Sequence, residues 1–159
     1  MKLATDACSL INLDSGGVFA NVLNLPGFEW NVGPLVVQEC GALQALQDAI
    51  DAQKIVLLDD GLLGVETFMS LRRKYRLGPG ETECIAFATT LGVAVCTDDR
   101  RAREAVVAEI GATRLVGTIG LLKRCVMSGI MTSSAAFEAY GRMLAAGAFL
   151  PAMTAADFA

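Results

Sequence analysis

The 159-residue chain contains no histidine. That absence excludes Ser-His-Asp and Cys-His catalysis, histidine general bases and zinc sites built on imidazole. Aromatic residues are sparse at 6%, and the five cysteines are odd in number. Cys8, Cys40, Cys84, Cys96 and Cys125 form no Cys-x-x-Cys pair. They read as buried, reduced thiols of a cytoplasmic protein rather than a disulfide framework or a metal knuckle. No apolar run reaches the roughly 18 residues of a membrane span. Asp6 arrives too early for the apolar stretch of a secretory signal. A soluble chain with no membrane role is therefore expected. Bases are outnumbered, 13 against 17 acids, which argues against purely electrostatic wrapping of DNA but leaves room for a local basic patch.

What is present is a large apolar fraction, 53%, in a length that fits one domain with a real core. Chemistry must rest on carboxylates, hydroxyls, thiols, lysine or arginine, with or without a metal. Short apolar runs alternate with longer helical patterns. Strands are expected at Lys2–Thr5, Lys54–Leu58, Val93–Cys96 and Arg114–Val116. Helices are expected at Ala7–Leu13, from Pro34 to about Ala52, over Leu62–Tyr75 with Leu63, Phe68 and Leu71 facing the core, and over Glu81–Leu91. Further helices follow over Arg100–Ile110 and roughly 118–129 and 134–147. The stretch from Val18 to Trp30 has no clear pattern. Residues 1–150 form one expected domain, and 151–159 a tail with no assigned structure. Strict alternation of strand and helix implies parallel βαβ units, here a three-layer α/β/α sandwich around a central parallel sheet. In such sheets ligands sit outside the carboxyl ends of the strands.

The acids cluster at those ends. Asp6 follows the first strand, and Asp98 and Asp99 follow the Val93–Cys96 strand; if the two strands are neighbours, all three carboxylates face one crevice. A helix starting at Glu81, just ahead of that strand, is expected near the opposite edge of the sheet unless its loop folds back. Glu39 stands among Val36, Val37 and Cys40, where a carboxylate needs a partner or a cation. Crowded carboxylates stay ionised at neutral pH only when a cation compensates them. All-oxygen ligands select hard ions such as Mg²⁺ or Mn²⁺, which can polarise a phosphodiester and activate water without any imidazole. Each acid also has a plainer reading. Glu81 and Glu83 complement a helix dipole, Asp6 and Asp98–Asp99 serve as N-caps, and Glu39 pairs with an arginine.

The stretches Thr5-Asp6-Ala7-Cys8-Ser9-Leu10-Ile11-Asn12-Leu13, Pro34-Leu35-Val36-Val37-Gln38-Glu39, Gly80-Glu81-Thr82-Glu83-Cys84-Ile85-Ala86-Phe87-Ala88 and Val95-Cys96-Thr97-Asp98-Asp99-Arg100-Arg101-Ala102-Arg103 stand in the order of a PIN domain, which the chain resembles. Gly111–Thr118 and Leu121-Leu122 resemble one prokaryotic PIN-like subgroup. The resemblance implies a metal-dependent endoribonuclease with an acidic pocket above a parallel sheet, and many such domains are toxins of VapC-type toxin–antitoxin pairs. It makes Asp6 the first metal-binding acid, Glu39 the second, Glu81 the third with Glu83 as its rival, and Asp99 the fourth with Asp98 beside it. Thr97 matches the family's hydroxyl before that acid. Cys8 stands where the family often has a hydroxyl or amide, so that Ser9 supplies the hydroxyl, and glutamate replaces the commoner aspartate at the third acid.

Bases flank the acids. Arg72, Arg73, Lys74 and Arg76 precede Gly78-Pro79-Gly80, and Arg100, Arg101 and Arg103 follow Asp99. Either set can hold a phosphate backbone or form an ordinary solvated helix face. RNA, rather than DNA, as substrate comes from the resemblance. The small-residue helices from 118 to 147, carrying Met127, Met131 and Met143, suit self-association into a homodimer or an antitoxin partner as well as ordinary core packing. Two other readings remain open. One is a PIN fold that binds without cutting. The other is a receiver-like phosphoacceptor domain built on Asp59-Asp60 and Thr97, although no lysine ends the Arg114–Thr118 segment.

Overall fold

A computed structural model describes all residues, 1–159. Five parallel strands form the sheet: β1 Lys2–Thr5, β2 Glu29–Val32, β3 Ile55–Leu57, β4 Ala94–Cys96 and β5 Leu115–Val116. Their order across the sheet is β3-β2-β1-β4-β5. β1 is thus flanked by β2 and β4, and the chain's progress across the sheet reverses at β1. That reversal opens a crevice beyond the strand ends.

Nine helices connect and cover the strands: α1 Ala7–Ser15, α2 Phe19–Leu23, α3 Pro34–Cys40, α4 Gln44–Asp51, α5 Val65–Tyr75, α6 Pro79–Leu91, α7 Arg100–Ile110, α8 Thr118–Met127 and α9 Ser133–Ala145. Helices α1, α2, α8 and α9 pack together as one group, and α3, α5, α6 and α7 as another. This is the expected α/β/α sandwich. The sheet core is apolar on both faces, with Leu3, Val32, Val95 and Cys96 essentially inaccessible. Helix α6 lies deepest and buries an unbroken run from Thr82 to Ala88.

Three local expectations need correction. The Pro34–Ala52 helix is two helices, because Gly41 adopts φ +58° and turns the chain between α3 and α4; only glycine takes that conformation at little cost. The helix expected from Leu62 begins at Val65, after a 3₁₀ turn over Asp60–Leu62, and only Leu71 of its three expected core residues is buried. The unpatterned stretch contains β2. Its Trp30 and Val32 are buried, and Asn31 is too, because its side-chain amide donates to Glu29 O at 2.9 Å.

The segment after Pro151 is packed rather than loose. A short turn over Ala155–Phe158 buries Phe158 against Phe137 and Tyr140. The Tyr140 hydroxyl donates to Pro151 O at 2.9 Å and accepts from Met153 N–H at 3.1 Å. Met143 is core, packed against Gly16, whereas Met127 is 85% exposed. All five cysteines are free thiols; Cys84, Cys96 and Cys125 are buried, Cys40 is half-buried and Cys8 is exposed. No helix is long and apolar enough to cross a membrane.

Candidate active site

β1 and β4 are direct neighbours with Thr5 opposite Cys96, so Asp6 and Thr97 leave the sheet side by side. Asp6 is 1% exposed. It caps α1, with Oδ1 accepting the Ser9 N–H at 2.8 Å, and its Oδ2 accepts the Thr97 hydroxyl at 2.5 Å. The capping reading of Asp6 therefore holds, and its second oxygen is tied to the end of β4. Burial outweighs these hydrogen bonds and, with repulsion from Asp98 added, pushes the Asp6 carboxyl up to about 7. No lysine or arginine pairs with it; the ion pairs are Lys2–Glu29, Lys74–Glu109 and Arg100–Glu104. Beside it the Ser9 side chain is buried and, with the Ser9 N–H, helps hold the Asp6 carboxyl lower than burial alone would.

The two acids after β4 differ in role. Asp98 accepts the Thr118 N–H at 2.8 Å through Oδ1, and the Asn12 amide at 2.9 Å and the Thr118 hydroxyl through Oδ2. It thereby joins α1, the end of β4 and the start of α8. Asp99 caps α7, its Oδ1 accepting Ala102 N–H at 2.8 Å, and its other oxygen has no protein donor within hydrogen-bond reach. Gly117 permits the approach of α8: a Cβ there would lie 3.0 Å from Asp98 Oδ1 and 2.7 Å from Arg103 Nη1.

Glu81 stands on the same side as these acids, which corrects the expectation that α6 begins at the opposite edge. A helix feeding a parallel strand runs antiparallel to it, so the helix starts where the strand ends. Burial raises the Glu81 carboxyl, with Asp99 and Glu39 adding repulsion and Arg101 and the Gly78 N–H opposing it. Its Oε2 accepts that Gly78 N–H at 2.9 Å. Glu39 is exposed rather than enclosed by apolar neighbours, and its Oε1 accepts the Gly80 N–H at 2.8 Å. It pairs with no arginine. The Cβ of any other residue at 80 would overlap the Glu39 carboxylate.

Glu83 is a different object. At 1% exposure it points into the start of α3, where Leu35 N–H is shared between its two oxygens and Val36 N–H bonds Oε2, all at 3.1 Å. Its carboxylate is committed to a helix end at the closely approaching Gly33. Burial is the largest influence on it and raises its pKa, with the backbone bonds opposing.

Cys8 registers the whole acidic group. Although the residue as a whole is exposed, desolvation of its thiol, then Asp6, Asp98, Asp99 and Glu81 in that order, push it up to about 12, so it is protonated at neutral pH. The flanking arginines are mostly tied to the frame. Arg100 pairs with Glu104 at 3.1 Å, Arg101 donates to Tyr75 O and Arg76 O at 3.1 Å, and Arg103 donates to Thr97 O at 2.9 Å. Of the earlier basic cluster, Lys74 bonds Glu109 at 2.7 Å.

Asn12 and Thr118 were not singled out by sequence reasoning as part of this site. Gly117-Thr118 belonged to a recognised motif, and Asn12 to the first one, but nothing local reveals that both reach Asp98.

The sequence model of the PIN-domain family matches residues 2–158. The chain belongs to the PIN domain family. Comparison with curated proteins and with solved structures returned no match. PIN domains have a nuclease-type fold and generally use divalent metal ions. In this PIN domain no three acidic or thiol side chains converge closely enough to hold a metal ion unaided. The donor chemistry nevertheless fits a hard cation. The acids offer oxygen donors, and the buried Asp6 carboxylate among them has no cationic partner. Mg²⁺ characteristically uses one or two carboxylates and keeps several waters, so a three-acid cage is not required.

Proposed function

We propose that this PIN domain is a Mg²⁺- or Mn²⁺-dependent endoribonuclease that hydrolyses RNA phosphodiesters at the ends of β1 and β4. The observation that carries the reading is Asp6. A fully buried carboxylate without a cationic partner, pushed up to about 7 beside further acids, is costly unless a cation is its working partner. Bound there, the ion would supply Lewis-acid activation of water and of the phosphodiester.

Asp6, Glu39, Glu81 and Asp99 are the proposed metal-binding and catalytic acids, with Asp98 and Glu83 as alternates. The hydrogen-bond pattern favours Asp99 over Asp98, which already accepts three donors, and Glu81 over Glu83, which is committed to α3. Thr97 and Ser9 line the Asp6 side, and Arg100, Arg101 and Arg103 are the proposed phosphate contacts. A toxin role, with an antitoxin protein or a second copy of the chain as partner and the cytoplasm as its place of action, rests on the resemblance to VapC-type toxins.

A second reading, a PIN fold that binds without cutting, draws on the absence of a ready-made group of three metal-holding side chains. Incubating the purified protein and an Asp6→Asn variant with structured and unstructured RNA, in Mn²⁺ and in chelator, separates the two. Cleavage that needs both the metal and Asp6 supports the nuclease. Cleavage that survives either loss contradicts the carboxylate–metal route, and RNA left intact in every condition supports the binding module.

A further inference from the structure

Asp98 also lines two adjoining cavities, ≈ 370 Å³ and ≈ 760 Å³, which share Arg103, Leu115, Leu150 and Pro151. The smaller extends along α8 to Arg124, and the larger opens past Arg100 to Phe149. Phe149 is 98% exposed, a large apolar ring held in water at the rim of a groove. Arg124 has no carboxylate partner and lies over the Phe28 ring at 5.6 Å. Arg103 has none either, its guanidinium donating instead to Thr97 O. The lining thus sets three arginines against Asp98 and Glu104, with an apolar floor from Leu115, Leu150 and Pro151.

We infer that this groove is a subsite for single-stranded RNA, seating a nucleotide adjacent to the cleaved phosphodiester with its base against Phe149 and its phosphate toward Arg103 and Arg124. The inference rests on the ribonuclease reading and extends it from the acids to the strand they cut. The volumes suit a nucleotide-sized ligand. An exposed aromatic ring beside guanidinium groups is the combination that holds unpaired bases, since every base offers a face to stack. A base in a duplex is already stacked and cannot use it.

The test uses the full chain carrying Asp6→Asn, which suppresses cleavage, and a fluorescent unstructured oligoribonucleotide followed by anisotropy in Mg²⁺. Phe149→Ala is expected to weaken binding about tenfold, with Phe149→Trp restoring it, and Arg124→Ala is expected to weaken binding and flatten its salt dependence. A duplex of the same sequence should bind less tightly and be insensitive to Phe149. Both side chains are exposed, so a folding defect does not mask the result. In the otherwise wild-type chain, both alanine variants should raise KM more than they lower kcat. Binding and cleavage unchanged in both variants would overturn the groove while leaving the ribonuclease reading intact. RNA neither bound nor cut by the parent chain overturns both.

Discussion

The Thr97 hydroxyl donates to Asp6 Oδ2 at 2.5 Å and accepts the Asp99 N–H at 3.2 Å. One side chain at the end of β4 therefore links the first and fourth proposed acids. A hydroxyl donor stabilises the carboxylate form, so it holds the Asp6 carboxyl lower than burial alone would. Thr97→Val keeps the shape and removes the donor. The acidic limb of the cleavage-rate profile should move to higher pH, with several-fold loss near neutrality that shrinks as pH rises. A pH–rate profile at a fixed, sub-saturating Mn²⁺ concentration, where proton and metal compete for Asp6, checks this, and an unmoved limb would show that Asp6 does not control it.

Asp6 also makes a prediction about stability. Its folded pKa of about 7 lies above the ordinary 3.8, so between those values the metal-free folded protein holds a proton that the unfolded chain has released. Stability contributed by Asp6 is therefore greatest below pH about 4, falls as pH rises toward 7 and levels beyond it. The total is on the order of a few kcal/mol. Denaturant melts at pH 5 and pH 8, in chelator, should show a steeper fall for wild type than for Asp6→Asn. Mn²⁺ at about 100 times its Kd should return roughly 2.7 kcal/mol to the wild type at pH 8. Equal pH slopes in the two proteins would refute the uncompensated carboxylate.

Glu81 and Glu83 are separable by experiment although they stand two apart on one helix. Glu83→Ala strips Leu35 and Val36 N–H of their acceptor inside the protein and should cost about 2–3 kcal/mol of stability. Gly33→Ala should act in the same direction, since its Cβ would overlap the Glu83 carboxylate. Glu81→Ala should cost less than about 1 kcal/mol while lowering cleavage by at least ~100-fold. Thermal melts and single-turnover cleavage on the three variants decide it, and the reverse ordering would exchange the two assignments.

The apolar runs of β1 and β4 made them legible as strands, and with them the meeting of Asp6, Thr97 and Asp98–Asp99 at adjacent strand ends. β2 stayed hidden because Glu29 and Asn31 alternate with Trp30 and Val32 in only four residues, too short for a period to show. Gly41 looked like one more residue of a helix because its positive φ depends on the turn into α4. Glu83 could not be recognised as the cap of α3, 48 positions away from Leu35, nor Asn12 as a ligand of Asp98, since both are tertiary contacts without a local pattern. The same limit hid the bonding of Arg101 to the end of α5, which turns a candidate phosphate contact partly into a brace.

The most direct measurement is a calorimetric titration of the metal-free protein with Mn²⁺ at pH 6.5, run in two buffers of different ionisation enthalpy. Wild type should bind the ion and release a proton from Asp6 as it does so. Asp6→Asn should lose most of the affinity and all of that proton release. Equal affinity and equal proton release in the two proteins would contradict the account at its centre.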